Sequence, residues 1–359
     1  MHEWFGGNRV DGNEINMEQK FVEIQEISAP PVHLFKDNYL IKGIPLVITD
    51  VANKWPSYNW TLDSLCTRAG DNVTFVRQNT NCTDYRAGKI YKIRKSTLRE
   101  YIDDIRAENS RSINSYLAVQ NIKKAFPQIQ EDVPIPGYVS KVHGGPFMWI
   151  ARKGHYEYCH FDPDDGMLVM LKGCKRVKLF GCDLSTMYPN DLGSKGKTIQ
   201  AQVNCNDPDF KVHPNFCNAV CYECVLKPGQ MLFIPAFWWH QVTSLDVCIS
   251  VNYFFGDSGE NIYLTKIMKP PQWGAFSYWL LNIVEQNRDF ESFQRVLANL
   301  SESIPAFFMK IWHEIPTEEQ VKKLVILIMN YLEITELPKE TIKLKNPPLL
   351  KIRGLLWRS

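Results

Sequence analysis

Between about residues 146 and 255 the chain is a succession of short apolar strands cut by turn chemistry, and this texture limits the fold more than any other feature. "PFMWIAR", "GMLVMLKG", "KRVKLFG", "YECVLKPGQMLFIP", "WHQVTSL" and "VCISVNYFFG" follow one another with "KGHY", "DPDDG", "KPGQ" and "IPAFWW" between them. Strands recurring at roughly ten-residue intervals predict a mostly β sandwich or barrel. The flanks differ. Residues 1–20 are polar and aperiodic and read as a mobile tail. From 21 to about 110 the signals are mixed α/β, with strands at "IPLVITDV" (44–51) and "NVTFVRQ" (72–78) and a Ser-capped helix at "STLREYIDDIRAE" (96–108). "INSYLAVQ" (113–120) adds another strand before a Pro-rich connection. From residue 259 to 359 helical periodicity takes over, in segments such as "AFFMKIW" and "VKKLVILIM". Those apolar faces exceed what a small helical lobe needs, so the expectation is a C-terminal module that pairs two copies as a homodimer.

Composition narrows the function classes. With 41 basic and 39 acidic residues among 359, the net charge of +2 gives no global electrostatic case for nucleic acid or an anionic membrane. No apolar run approaches the ~18 residues that cross a bilayer, so a soluble protein without a membrane partner is expected. Ten cysteines invite a disulfide framework, but the N-terminus lacks the basic and apolar regions of a secretory signal. Reduced thiols in cytoplasm or nucleus are the expectation. Cys221 and Cys224 form a C-X-X-C pair on a strand, where alternation places them on opposite faces, a poor start for a zinc site.

The chemistry concentrates in "HFDPDDGMLVMLKGCKRVKLF". His160 and Asp162 are two apart, so on a strand both point to one face. A third ligand comes from His240, which follows "IPAFWW" in a later strand. Two His and one carboxylate make the facial set of non-haem Fe(II) oxygenases, which leaves open coordination positions; zinc favours a closed tetrahedral set. Lys175 lies one strand beyond the metal pair. An ammonium inside a barrel costs several kcal/mol unless an anion meets it, and a dicarboxylate such as 2-oxoglutarate would supply that anion. Asp164 and Asp165 read as solvated turn residues, and His143, His155 and His213 as bystanders. Phe237, Trp238 and Trp239 read as packing around the site.

The segment from about residue 113 to 255 resembles the JmjC-type Fe(II)/2-oxoglutarate oxygenases. The likeness extends toward residue 40 and is closest to the small hydroxylase branch that acts on a protein asparagine or on the tRNA base wybutosine. "HFDPDDGMLVMLKGCKRVKLF", "NDPDF…PNF", "YECVLKPGQMLFIPAFWWHQVTS", "SVNYFF", "SYLAVQ" and "IKKAFPQIQEDVPIP" carry it. It implies a double-stranded β-helix (a jelly-roll, cupin-like barrel) over residues 21–258 with an N-terminal extension. It also implies Fe(II) held by His160, Asp162 and His240, with O2 and 2-oxoglutarate as cosubstrates. Lys175 and Tyr116 would meet the distal carboxylate of 2-oxoglutarate, and Asn252 its chelating end. The implied reaction is hydroxylation of a macromolecular substrate, a protein side chain ahead of a tRNA base or a methylated lysine. One position departs from the pattern, since Gly166 stands where these relatives often carry Asn. On that glycine rests the alternative of a non-catalytic binding module.

Overall fold

The computed structural model describes residues 19–78, 92–108, 115–140, 142–191 and 198–255, together with Ala275, Tyr278, Trp279 and Asn282. The strands that build the barrel are β7 (Val142–Ala151), β8 (Tyr156–Phe161), β9 (Asp165–Lys172), β10 (Lys175–Phe180), β12 (Cys221–Leu226), β13 (Met231–Ile234), β14 (Trp239–Ser244) and β15 (Cys248–Phe255). They divide into two facing sheets, ordered β12-β10-β14-β8 and β13-β9-β15-β7. Except for β10 and β12, which neighbour each other, successive strands fall in opposite sheets. That winding is the double-stranded β-helix.

The N-terminal residues widen both sheets. Strands β1 (Phe21–Glu23), β2 (Glu26–Ser28), β3 (Leu46–Thr49), β4 (Val73–Gln78), β5 (Lys92–Thr97) and β6 (Ser115–Asn121) precede the barrel. β1 pairs in parallel with β12, and β3 pairs with β13. β6, β4 and β5 continue the larger sheet beyond β7. The short β11 (Ile199–Gln200) closes on β8 at the end of the smaller sheet.

Alternation along the strands sorts the side chains into three apolar layers. Leu168, Met170, Val177 and Leu179 pack between the sheets. Val169, Leu171, Ile249 and Val251 point away from the barrel and meet Leu65, Tyr101 and Ile102 of the N-terminal helices. Phe161, Phe180, Cys221 and Trp239 line the outer side of the smaller sheet. β9 is covered on both faces, which is why "GMLVML" is apolar without alternation.

Helices Leu62–Ala69 and Leu98–Arg106 both begin with capping boxes. The cap of the second is Thr97, whose hydroxyl accepts from the Glu100 amide at 3.2 Å while Glu100 accepts from the Thr97 amide at 2.8 Å. The expected Ser96 cap is displaced because β5 runs through Thr97, and Ser96 donates to Glu100 instead, at 2.9 Å. Tyr101 ties this helix to the sheet by donating to the Ile150 carbonyl at 2.9 Å and accepting from the Leu117 amide at 3.2 Å.

The expected mobile tail lies outside the described residues save for positions 19 and 20, and so does nearly all of the expected C-terminal helical module. Ala275, Tyr278, Trp279 and Asn282 are helical, and the first three pack on the outer layer of the smaller sheet. Tyr278 there donates its hydroxyl to the Asn190 carbonyl. Among the described residues no helix is long and apolar enough to cross a membrane.

Candidate metal centre

β8 and β14 are antiparallel neighbours, and His160 stands directly opposite His240. Their imidazole rings lie 4.2 Å apart between centroids. Each ring is held by its own backbone, with His160 Nδ1 2.7 Å from the Tyr158 carbonyl and His240 Nδ1 3.0 Å from the Trp238 carbonyl. A carbonyl only accepts, so the Nδ1 atoms carry the protons and both Nε2 lone pairs face inward. They converge on Asp162 Oδ2, at 3.9 Å from His160 and 3.6 Å from His240.

The three ligand atoms lie within 4.8 Å of one another, and theirs is the one such group of three or more His, Cys, Asp or Glu among the described residues. Cis ligands on a metal with ~2.1 Å bonds stand about 3 Å apart, so the His160–Asp162 and His240–Asp162 gaps each need to contract by under ~1 Å to close on an ion. Two neutral imidazoles and one carboxylate suit a divalent first-row metal.

The turn that carries Asp162 is tied to the turn that precedes His240. The Phe237 amide donates to the Asp162 carbonyl at 2.8 Å, and the Ala236 amide donates to Asp165 Oδ1 at 2.8 Å. Asp165 is therefore not the solvated turn residue expected from "DPDDG"; it is fully buried, as the start of β9 folds under the neighbouring loop. Asp164 stays half-buried. Trp239 also points away from the pocket, into the outer core, where it packs edge-on against Phe161 with centroids 4.8 Å apart.

Lys175 is 2% exposed and reaches across the barrel to donate to Ser250 Oγ at 2.7 Å. Burial pushes its ammonium down to about 8, against a small opposing pull from Cys248. Alternation places Ser250 and Asn252 on one face of β15, so Asn252 also lines the interior, on the metal side of Ser250. Gly166 leaves room beside it. A β-carbon there would lie 3.8 Å from Asn252 Oδ1 and 3.7 Å from Ile234 Cβ, ordinary contacts.

Tyr116 is buried against Trp149 and His155, with ring centroids at 5.4 and 3.9 Å. Burial raises its phenol far above the usual range, with Arg77 as the opposing charge. The structure thus gathers His160, Asp162 and His240 at one position and lines the same interior with Lys175, Asn252 and Tyr116. His155, expected as a bystander, is part of that wall. The described cysteines are free thiols. Cys221 faces the outer layer and Cys224 the interior one, and burial pushes both up to about 12, as neutral thiols.

A cupin-type barrel that holds two histidines on neighbouring strands, with a carboxylate from the turn beside them, is the class that fold and site define together. The chain belongs to the cupin-like domain family, whose model matches residues 31–261. Among curated proteins it is similar to Lysine-specific demethylase 8 of Xenopus tropicalis, at 28% identity over 65% of this chain and 52% of the relative. It is 29% identical to JmjC domain-containing protein D of Dictyostelium discoideum over 67% of this chain and 57% of that protein. It is 34% identical to tRNA wybutosine-synthesizing protein 5 of Gallus gallus over 38% of this chain and 42% of that protein. The match spans about half the length of these relatives, and they place the chain with the JmjC-type cupins.

Proposed function

We propose that the protein is an Fe(II)- and 2-oxoglutarate-dependent dioxygenase that hydroxylates a C–H bond of a macromolecule, with a protein side chain as the first choice of substrate. The observation that carries this is the convergence of His160 Nε2, His240 Nε2 and Asp162 Oδ2 inside the barrel. When bound, iron with 2-oxoglutarate and O2 supplies the oxidation of an unactivated C–H bond.

The chain's own residues do the holding and excluding. His160, Asp162 and His240 are the metal ligands, the two histidines presented without rearrangement of their Nδ1 hydrogen bonds. Lys175 receives the distal carboxylate of 2-oxoglutarate beside Ser250, which turns a costly buried ammonium into one half of an ion pair. Tyr116 shares that carboxylate and Asn252 serves the chelating end. The apolar wall of Leu168, Met170 and Val177 keeps water from the reacting centre.

The near-balanced charge and the relatives named as lysine-specific demethylases support a protein substrate. Hydroxylation of a tRNA base is the second reading, supported by the likeness to tRNA wybutosine-synthesizing protein 5. Incubation with a protein extract and with bulk tRNA, each followed by mass spectrometry, separates them. A one-oxygen mass gain on a protein that requires both iron and 2-oxoglutarate is expected. The same gain on tRNA alone selects the second reading.

A further inference from the structure

Five side chains in the interior wall close on one another in a ring. The Tyr116 and His155 rings lie 3.9 Å apart. His155 Nε2 stands 3.5 Å from Glu157 Oε2. The other Glu157 oxygen is 4.0 Å from Arg77 Nη1. The Arg77 guanidinium lies 5.9 Å above the Trp149 ring, within cation–π range. Trp149 returns to Tyr116 at 5.4 Å.

The ring reaches the interior through a strand irregularity. On β14, His240 and Val242 share a face, and their partners on β8 are His160 and Glu157, with a register shift between them. The extra residue turns Glu157 inward, onto the face of the metal ligands. Trp149 is inward too, because it is the direct partner of Ser250, the residue that holds Lys175. Its indole N–H is buried with no hydrogen-bond partner among the described residues. Such a donor is costly unless something fills the space before it.

We infer that Glu157, with Arg77 and His155, is a positioning device that fixes Tyr116 and Trp149 as polar walls of the cosubstrate pocket. The inference rests on the reading of that pocket as the 2-oxoglutarate site. Within the ring the Arg77 guanidinium stands 4.0 Å from the Glu157 carboxylate, so the acid turned toward the interior faces a cation of its own. Its contacts brace the two aromatic rings from the side away from each other, Tyr116 through His155 and Trp149 through Arg77. His155 acts by stacking on Tyr116, and Glu157 acts by holding His155 and Arg77 together.

The test uses the full chain loaded with Mn(II) and titrated calorimetrically with 2-oxoglutarate, alongside kcat and KM for succinate formation with Fe(II). Glu157→Ala and Arg77→Met are expected to raise the Kd and KM for 2-oxoglutarate about 10-fold or more, with Mn(II) affinity and kcat kept within about twofold. His155→Phe, which retains the stack, is expected to lie closer to wild type than His155→Ala. Should Glu157→Ala fail to fold by circular dichroism, Glu157→Gln carries the same comparison. Unchanged 2-oxoglutarate affinity in variants of a wild type that binds it overturns the inference. So does a fall in kcat that matches a loss of thermal stability with KM unmoved. A wild type that binds Mn(II) but no 2-oxoglutarate overturns the pocket reading itself, and the inference with it.

Discussion

Lys175 is a fully buried amine whose hydrogen-bonded neighbour, Ser250, is neutral. Its pKa is pushed down to about 8 from an ordinary value of 10.5, so between those values the unfolded chain holds a proton that the folded, ligand-free protein does not. Stability of the ligand-free protein should therefore rise as pH increases through that window. An anionic ligand needs the protonated amine, so binding has the opposite sign. Calorimetric titration across the same window should show 2-oxoglutarate binding strongest below about pH 8. It should weaken by up to about tenfold per pH unit above that point, and Lys175→Met should abolish this dependence along with most of the affinity. Gly166 is a simpler residue. Its backbone is not left-handed and a β-carbon meets only ordinary contacts. Gly166→Ala is expected to gain about 0.4–1 kcal/mol in urea unfolding without weakening 2-oxoglutarate binding.

The metal centre depends at the level of elements on two turns being held together. Asp165 is buried beneath the turn before β14 and accepts from the Ala236 amide, while Phe237 reaches the Asp162 carbonyl. Asp165→Ala removes the acceptor and leaves a buried amide unsatisfied, at a cost of about 1.5–3 kcal/mol in chemical denaturation. Metal affinity should fall as well, because Asp162 and His240 lose their common support. Tyr101→Phe makes a useful contrast: it should destabilise by about 1–3 kcal/mol and spare metal affinity, since it cuts only the tie between the helix Leu98–Arg106 and strands β6 and β7. Sequence alternation made the metal pair legible and failed three residues earlier. Counting back from His160 in steps of two puts Glu157 on the outer face, and only the register shift on β8 brings it inward. "DPDDG" misled for a related reason. Its composition is that of an exposed turn, yet its second half starts a central strand.

For the whole molecule, the succession of short strands and turns narrowed the fold to a sandwich or barrel, because a chain cut every ten residues or so has few other ways to bury its apolar faces. The resemblance to the JmjC-type oxygenases chose the double-stranded β-helix. The pairing of β1 with β12 was not legible. It joins residues some two hundred positions apart through three short pairs, and no local pattern encodes such a contact. His240 was legible only in company with His160, Asp162 and Lys175. Residues 259–359 lie almost entirely outside the described residues, and it is the helical apolar periodicity of their sequence that leads us to propose a homodimer. The proposed homodimer should appear in light scattering at twice the chain's mass, and a species of single mass at micromolar concentration would refute it.

The central claim is that the three converging ligands make this a working 2-oxoglutarate enzyme. The most direct test is succinate formation by the purified chain with Fe(II), 2-oxoglutarate and O2, measured beside Asp162→Ala. Iron-dependent succinate from the wild type, and none above background from the variant, is the predicted result. Equal succinate from both proteins, or none from a wild type shown to bind iron and 2-oxoglutarate, would contradict it.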